Sequence, residues 1–320
     1  MSFDKIYADL VLAIKEKGIL QNPDEVRAHY EDGEPAPAYA IEGVSFEITP
    51  DMGLPILKSK FVGSKWAFTE LEWIWQAMSN DVKWLQERGV TIWDEWEQED
   101  GTIGKAYGWQ LRNKKRKVQL DMNNEFYVAS PEDFFPEEDI MVDVNPETKD
   151  YKCYVKFNQV ETILYQLKYN RSSRRIMTTL WDVEDLDEMA LEPCVWATHW
   201  TVQGGKLNLH VKQRSADVCL GLPFNVLQYH ALHVVMAKVS GLELGTMFWN
   251  IDNAHIYDRH MEQAIKQVTA PMSDEVLNSE PKLVLPWEID DTANFFECSL
   301  SKLKVEDYKH NGRFNYEVAI

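Results

Sequence analysis

The sequence predicts an α+β fold, because both helical and strand periodicities occur within one chain of 320 residues. Residues 207–213 alternate apolar and polar side chains with the period of two that a half-buried strand requires. Residues 223–239 have the pattern of a long apolar helix, with proline in the first turn and Gly241 beyond the end. Length and patterning together favour one compact domain over two independent domains.

The other elements follow from the same two periodicities. Apolar residues recur at helical spacing over 4–19, which predicts an amphipathic helix that ends near Gly18. Residues 20–40 are predicted to be loop, and Gly204-Gly205 is predicted to form a hairpin turn. The further predicted helices are 66–79 and 157–169, and the further predicted strands are 41–48, 247–251 and 283–287.

Residues 113–152 differ in composition from the rest of the chain. They begin with a basic run at 114–117 and then become acidic, with three prolines. We interpret this segment as a peripheral insertion, at about 113–152, into a single domain spanning 1–320. The basic run itself is predicted to be a solvated surface turn.

The charge balance excludes some classes of partner. With 33 basic and 52 acidic residues, the formal net charge is −19, which argues against binding to nucleic acid or to an anionic membrane. No run of apolar residues has the length of a membrane span, and the first residues do not resemble a signal peptide. The four cysteines are scattered, which fits a reducing, cytoplasmic location.

Cys194 and two arginine-containing segments are the first candidates for chemistry. A single cysteine after proline is usually a small buried apolar residue, and it can be a nucleophile only if nearby positive charge favours its thiolate. Ser-Ser-Arg-Arg (172–175) and Gln-Arg-Ser-Ala-Asp (213–217) combine guanidinium and hydroxyl groups that suit phosphate. A solvated surface position is the favoured interpretation of either segment when it is taken alone.

The sequence also offers a candidate acid and lacks the motifs of several common classes of enzyme. Glu70 and Glu72 cannot share one helix face, so one is expected to point to solvent and the other inward, where burial raises its pKa. Such an acid can move protons, but a capped or solvated glutamate is the favoured interpretation when the helix is taken alone. His230 and His233 lack the companions of a zinc site, so no metal is predicted. Glycine-rich nucleotide-binding motifs and the serine-hydrolase motif are absent from the sequence.

Eight motifs in order give the chain a resemblance to the thymidylate synthase family, and the terminal Val-Ala-Ile (318–320) matches that family too. The resemblance covers nearly the whole chain outside 113–152. The motifs are Glu70, Ile-Trp-Asp-Glu-Trp (92–96), Ala-Tyr-Gly-Trp-Gln (106–110), Ser-Arg-Arg-Ile (173–176), Met-Ala-Leu-Glu-Pro-Cys (189–194), Gln-Arg-Ser-Ala-Asp-Val (213–218), Gly-Leu-Pro-Phe-Asn (221–225) and His-Ile-Tyr (255–257).

The resemblance implies a thymidylate synthase-like fold, with a large mixed sheet covered by helices and packed back to back in a homodimer. It implies a methyltransferase that converts dUMP to dTMP, with 5,10-methylenetetrahydrofolate as the donor of one carbon and hydride and with no metal. By resemblance, Cys194 adds to C6 of the pyrimidine, and Arg214 lowers the pKa of Cys194 while it binds the phosphate. Glu70 and Tyr107 match the groups that move protons at O4 and at C5.

The resemblance also assigns the binding residues. Asn225 matches the amide that reads uracil. The other dUMP-binding positions are Arg27, Arg214 and Ser215 at the phosphate, Arg174 and Arg175 reaching the phosphate from the neighbouring subunit, His255 and Tyr257 at the deoxyribose, and Asp217 near the pyrimidine. The folate-binding positions are Lys60, Trp93, Trp96, Leu191, Asp217, Gly221 and Ile320.

Members of the same family differ in the last step of the reaction, at the C5 methylene. Hydride transfer to the C5 methylene gives dTMP, whereas water gives the product of a deoxyuridylate hydroxymethylase. Trp93, Leu191 and a buried Ile320 are expected to exclude water and favour the synthase. Departures from the family pattern, Glu72 in place of leucine and Asp252-Asn253 in place of Gly-Asp, leave the hydroxymethylase as the alternative. A catalytically silent binding protein is a third reading, which the intact set of catalytic residues opposes.

Overall fold

The computed structural model describes residues 2–120, 126–127, 140–144, 147, 151–288 and 293–320. The helices are α1 (Phe3–Lys17), α2 (Ser64–Trp75), α3 (Val82–Gln86), α4 (Gly108–Arg112), α5 (Gln159–Tyr169), α6 (Gly221–Val239), α7 (Met261–Thr269) and α8 (Asp274–Leu277). The strands are β1 (Ile19–Leu20), β2 (Ala38–Ile48), β3 (Lys114–Leu120), β4 (Phe126–Tyr127), β5 (Ile140–Val144), β6 (Tyr151–Phe157), β7 (Met177–Thr179), β8 (Val195–Gln203), β9 (Lys206–Asp217), β10 (Glu243–Tyr257), β11 (Lys282–Val284) and β12 (Lys304–Glu306).

Within these described ranges, one mixed sheet organises the chain. Its strands lie in the order β1-β2-β10-β9-β8-β7. β9 and β10 are parallel, and the other neighbouring strands are antiparallel. Gly204 and Gly205 form the turn between β8 and β9 with φ of 57° and 78°, angles that glycine adopts without steric cost. The mixed sheet and the helices confirm the predicted α+β class.

Two helices cover one face of this sheet and bury the aromatic core. α6 is buried on nearly all sides, as expected for a helix that is apolar all round, and it packs on β9, β10 and α2. Trp75 of α2 lies with its ring centroid 6.5 Å from that of Trp200 and 6.1 Å from that of Tyr229. These large rings fix α2 and α6 against the strands that carry the site.

Most predicted elements are confirmed, with corrected ends. The amphipathic helix is α1, which ends at Lys17 before Gly18, and the aromatic helix ends at Trp75 rather than at residue 79. The strand predicted at 247–251 is part of the much longer β10. No helix in the described part of the chain is both long and apolar enough to cross a bilayer.

The basic run at 114–117 was predicted to be a surface turn, and this is wrong. It belongs to β3, which pairs with β6 in a second sheet of order β4-β3-β6-β5. The Lys114 ammonium forms ion pairs with Asp182 and Asp185, so part of its positive charge is neutralised within the chain. Much of 113–152 lies outside the described residues, so the peripheral insertion stays a prediction.

Candidate active site

Cys194 lies directly before β8, where two hydrogen bonds of its backbone fix its position. Its amide donates to the Tyr107 hydroxyl at 3.3 Å, and its carbonyl accepts from the Arg214 amide at 2.9 Å. The register of β8 against β9 shifts between Val195 and Ala197, directly after the cysteine. Strand irregularities of this kind re-aim side chains next to functional sites.

The Arg214 guanidinium is bound to the two residues before the cysteine. Nε donates to the Pro193 carbonyl at 3.1 Å, and Nη2 donates to the Glu192 carbonyl at 2.7 Å. Burial raises the pKa of the Cys194 thiol, whereas the positive charge of Arg214 and the contact with Tyr107 oppose that rise. Arg214 therefore acts in the expected direction, but burial has the larger effect and the net pKa of Cys194 lies above its ordinary value.

Tyr107 has a strained backbone. Its φ of 45° lies in the left-handed region, which side chains other than glycine rarely adopt. The next residue must be small, since a Cβ on Gly108 would lie 2.5 Å from the Ser79 carbonyl oxygen. The Tyr107 ring centroid lies 4.9 Å from that of Trp93, with the rings edge to face. Strain of this kind is commonly retained where a side chain must be placed for function.

Glu70 points inward from α2, as predicted for one of the two glutamates. Trp93 Nε1 donates to Glu70 Oε1 at 2.6 Å, and the Gln228 amide donates to Oε2. Burial raises the pKa of the Glu70 carboxyl, and these two hydrogen bonds lower it by less. The site thus contains a buried acid whose protonated form is favoured above the ordinary carboxyl range.

Glu72 does not simply point to solvent, so that part of the prediction is wrong. Its Oε2 accepts from the Ser299 hydroxyl at 2.6 Å and from the Ser301 amide at 2.7 Å. The glutamate therefore ties α2 to a later segment of the chain. Asp252 is exposed on β10, and nothing in the structure explains it.

Asn225 is held by two glutamines that the sequence analysis did not single out. Gln213 Nε2 donates to Asn225 Oδ1 at 3.1 Å, and Asn225 Nδ2 donates to Gln228 Oε1 at 3.3 Å. Gln213 is itself fixed by Trp249, whose indole donates to it at 2.9 Å. Gln228 follows Asn225 by one helical turn, which is the signal that could have found it.

A cavity of about 450 Å³ lies at the other end of the site. It is lined by Arg27, Ser215, Asn253, His255 and Tyr257 among others. The parallel pairing of β9 and β10 sets Ser215 beside Asn253, and His255 Nδ1 lies 3.4 Å from Ser215 Oγ and 3.1 Å from Asn253 Oδ1. Burial lowers the pKa of His255, which favours the neutral ring. The cavity thus combines a cation with hydroxyl and imidazole groups.

Asp217 organises the start of α6. Its Oδ1 accepts from the Cys219 amide at 2.8 Å and from the Leu220 amide at 3.1 Å, directly before the helix begins at Gly221. These bonds satisfy amides that have no partner inside the helix. Asp217 is therefore held at the amino terminus of α6, the helix whose first turns carry Asn225.

A buried lysine compensates the charge of this region. Lys60 Nζ donates to the Cys219 carbonyl and lies 5.0 Å from the centroid of the Tyr316 ring. Ligand atoms of Asp217, Cys219 and His260 come within 4.8 Å of one another, which is a possible cation-binding geometry. Burial lowers the pKa of Lys60, whereas Asp217 and Cys219 favour its charged form, so a cationic side chain already lies beside this group. The expectation of no metal stays a prediction.

Three of the predicted folate-binding residues have different surroundings. Trp96 and Leu191 are half-buried against the core, and the Trp96 ring centroid lies 5.5 Å from that of Trp93. The expectation that Ile320 is buried is wrong, because 52% of the residue is exposed. Its amide and carbonyl both bond to the backbone of His29, at 3.0 and 2.8 Å, and hold it along a surface loop.

Arg174 and Arg175 are not brought to Cys194 within the chain. They are exposed in the turn between α5 and β7. Met177 of β7 pairs with His199 of β8, five residues from Cys194 along the strand. At about 3.3 Å per residue, this separates the two arginines from the cysteine by more than roughly 16 Å.

Comparisons with known proteins agree with this geometry. The family model described as thymidylate synthase matches residues 5–320. The thymidylate synthases of Bacillus licheniformis and of Bacillus phage phi3T are each 39% identical over 319 residues, which cover 99% of this chain and 99% of each relative. The solved structure of thermostable thymidylate synthase A from Bacillus subtilis has a TM-score of 0.80 and 36% identity, and the match covers 100% of both chains.

Proposed function

Since the chain belongs to the thymidylate synthase family, we propose that it catalyses the reductive methylation of dUMP to dTMP through a covalent bond to Cys194. The observation that supports this best is one connected run of contacts. Cys194 contacts Tyr107, Tyr107 packs on Trp93, Trp93 bonds to Glu70, and Gln228 joins Glu70 to Asn225. The run links a nucleophile, a proton carrier and a base-reading amide.

Nucleophilic addition is the first chemical step. The Cys194 thiol gives its proton to water, its sulfur bonds to C6 of the pyrimidine, and the C5–C6 π electrons are delocalised over C5 and O4. Arg214 favours the thiolate, because its guanidinium is anchored to the carbonyls of residues 192 and 193. C5 then attacks the one-carbon unit, and 5,10-methylenetetrahydrofolate supplies that carbon and, later, hydride.

Proton movement at the ring falls to Glu70 and Tyr107. Burial keeps Glu70 protonated above the ordinary carboxyl range, so it can donate toward O4 as negative charge develops there. The Tyr107 oxygen already accepts from the Cys194 amide, which places it near the ring that Cys194 would hold. The hydroxyl can take the proton that leaves C5 while its own proton passes to water, and the bond between the one-carbon unit and the folate nitrogen breaks with its electron pair on nitrogen, which leaves a methylene at C5. Hydride from the tetrahydrofolate then reduces this methylene to methyl and gives dihydrofolate, and re-formation of the C5–C6 double bond expels the cysteine thiolate and frees dTMP.

Selection of uracil depends on the orientation of the Asn225 amide. Gln213 donates to its oxygen and Gln228 accepts from its nitrogen, so the amide cannot turn over without breaking both bonds. Held in this way, the oxygen can also accept from N3–H of uracil and the nitrogen can donate to O4. Cytosine presents the opposite pattern at these two atoms.

The nucleotide sugar and phosphate would occupy the 450 Å³ cavity. Arg27, Arg214 and Ser215 would bind the phosphate, and His255 and Tyr257 the 3′-hydroxyl. Lys60, Trp93, Trp96, Leu191, Asp217 and Gly221 are proposed for the folate, along with Ile320 once the tail has moved inward. In this proposal the enzyme is cytoplasmic.

A homodimer would complete each site. Arg174 and Arg175 lie too far from Cys194 of their own chain to share a phosphate with it. The sheet face opposite α6 carries half-buried rings, with His210 stacked on Phe248 at 4.6 Å and His199 at 5.6 Å from His210. If two such faces pack together in a dimer, both arginines of one subunit would contribute to the site of its partner.

The product of the reaction tests this proposal. Purified protein is incubated with dUMP and 5,10-methylenetetrahydrofolate, and the nucleotide and folate products are separated by mass. The proposal predicts dTMP with an equal amount of dihydrofolate. 5-Hydroxymethyl-dUMP with tetrahydrofolate would refute it in favour of a hydroxymethylase. The relatives named above are all thymidylate synthases, and this similarity does not favour the hydroxymethylase alternative.

A further inference from the structure

Three separate segments of the chain meet at Arg259. The first is the loop at 27–36, which carries Arg27. The second is the end of β10, where Arg259 follows Tyr257 by two residues. The third is the carboxyl-terminal tail at 317–320. Two of these segments line the nucleotide cavity, and the third carries Ile320.

The Arg259 guanidinium contacts all of them. Its Nη1 lies 2.9 Å from Asp32 Oδ2 and 3.5 Å from Glu317 Oε2, and its Cζ lies 4.0 Å from the centroid of the Tyr30 ring. A flat cation can stack on a ring with its face while its edge binds carboxylates, which an ammonium group cannot do. We call Arg259, Tyr30, Asp32 and Glu317 the Arg259 clasp.

Neighbouring hydrogen bonds brace the clasp. The Tyr30 hydroxyl donates to the Asp258 carboxylate and accepts from the Arg259 amide at 3.3 Å. The Glu31 amide donates to Glu317 Oε1 at 3.1 Å. Glu317 thus uses one oxygen for the arginine and the other for the loop backbone, so the tail is bound to the loop in a defined register.

The clasp lies beside the only main-chain pairing of tail and loop that we find in the described residues, the two bonds between His29 and Ile320. The side chains of Arg259, Asp32 and Glu317 are 38%, 54% and 32% exposed. Ion pairs with this exposure contribute little to the free energy of unfolding, because water screens them. The clasp is therefore suited to setting the position of the tail relative to the loop rather than to stabilising the core.

We propose that Arg259 is a positioning residue that holds the phosphate-binding loop and the carboxyl-terminal tail in one arrangement. Because Glu317 is tied to the loop, binding of the nucleotide phosphate by Arg27 would then be coupled to the inward movement that brings the exposed Ile320 over the folate. This inference rests on the proposed function, since it assigns the loop to dUMP and the tail to folate. Loss of the clasp would leave the catalytic groups intact but would raise the entropy that each ligand must remove.

The test compares Arg259→Gln with Lys309→Gln, a matched control that removes an exposed ion pair of 3.1 Å to Glu275. Hydrogen exchange of the His29 and Ile320 amides is measured without ligands, and the KM values and kcat are measured with them. We expect Arg259→Gln to increase the hydrogen-exchange rates of both amides and to raise the KM values for dUMP and for the folate by about tenfold. The control should leave the exchange rates and the KM values unchanged. Arg259→Lys should lie between, since it keeps charge but loses stacking on Tyr30.

Several outcomes would overturn the proposal. Exchange rates in Arg259→Gln equal to those of the control would mean that the clasp does not hold the tail. Faster exchange with unchanged KM values would mean that the tail position does not affect ligand binding. If Arg259→Gln fails to fold, Glu317→Gln removes the same contact from the tail and must give the same two changes. Absence of dTMP from the wild-type protein would refute the proposed function alone, because the exchange measurement needs no reaction.

Discussion

Trp93 donates its indole N–H to the buried Glu70 carboxylate at 2.6 Å, and this bond joins the proposed folate-stacking ring to the proposed proton carrier. Gln228 holds the other carboxylate oxygen. Both donors favour the ionised acid, while burial opposes it more strongly. The carboxyl of Glu70 is therefore fixed in place, and burial makes it easier to protonate than an ordinary carboxyl, as a proton carrier requires.

Glu70→Gln should lower kcat by roughly 100-fold, because the amide keeps the shape of the side chain but cannot move a proton. The matched control is Glu72→Gln in the same helix, whose carboxylate contacts Ser299 and Ser301 and not the site. Steady-state assays of both variants check the prediction. Near-normal kcat in Glu70→Gln, or an equal loss in the control, would contradict it.

The same substitution should change how stability depends on pH. Because the folded-state pKa of Glu70 is raised, the native protein keeps a proton that the unfolded chain releases as pH rises from the ordinary carboxyl range to the raised value. The free energy of unfolding of the wild type should fall across that window, and Glu70→Gln should lose this contribution. Urea unfolding at a series of pH values measures it. Parallel curves for the two proteins would show that the carboxyl is not perturbed by burial.

Asn225→Asp should shift the preference from dUMP toward dCMP. An aspartate accepts where the amide donates, so it suits the amino group of cytosine and repels O4 of uracil. The kcat/KM for dUMP should fall by roughly 100-fold, while that for dCMP should rise. Competition between the two nucleotides measures the ratio, with the exposed Asn278→Asp as control. An unchanged ratio in Asn225→Asp would remove this residue from base recognition.

Arg175→Ala and Cys194→Ser should complement each other. Each variant alone should be nearly inactive, but a mixed dimer would contain one site with both an intact cysteine and the partner's intact arginine. After denaturation and joint refolding of equal amounts, random pairing should restore about a quarter of the wild-type activity. No recovery, with mixed dimers shown to be present, would place Arg175 outside the neighbouring site.

The sequence predicts the local elements better than their long-range partners. α1, α6 and β9 are recognisable because their periodicity and end residues are local signals. The basic run of β3 lacks such a signal, since its strand conformation depends on pairing with β6, about forty residues away by register. The parallel pairing of β9 with β10 is likewise a tertiary choice.

The same division applies to the candidate site. Cys194, Glu70 and Asn225 were found because their motifs resemble those of a known family, and the contacts connect them. Gln213 and Gln228 were missed, because nothing in a glutamine's local sequence shows that it will orient an amide or a buried acid. The exposure of Ile320 could not be predicted either, because it follows from pairing with a loop at the other end of the chain.

The covalent step is the central claim, and Cys194→Ser with a mass measurement tests it most directly. Protein is incubated with 5,10-methylenetetrahydrofolate and 5-fluoro-dUMP, a nucleotide whose C5 fluorine cannot leave as a proton does. The mass of the intact protein and of its proteolytic peptides is then measured by mass spectrometry. The proposed reaction predicts one added nucleotide and folate on the peptide that contains Cys194, no addition to Cys194→Ser, and normal addition to the control Cys298→Ser. A wild-type protein that makes dTMP yet carries no adduct on Cys194, or a Cys194→Ser variant with normal turnover, would contradict the account.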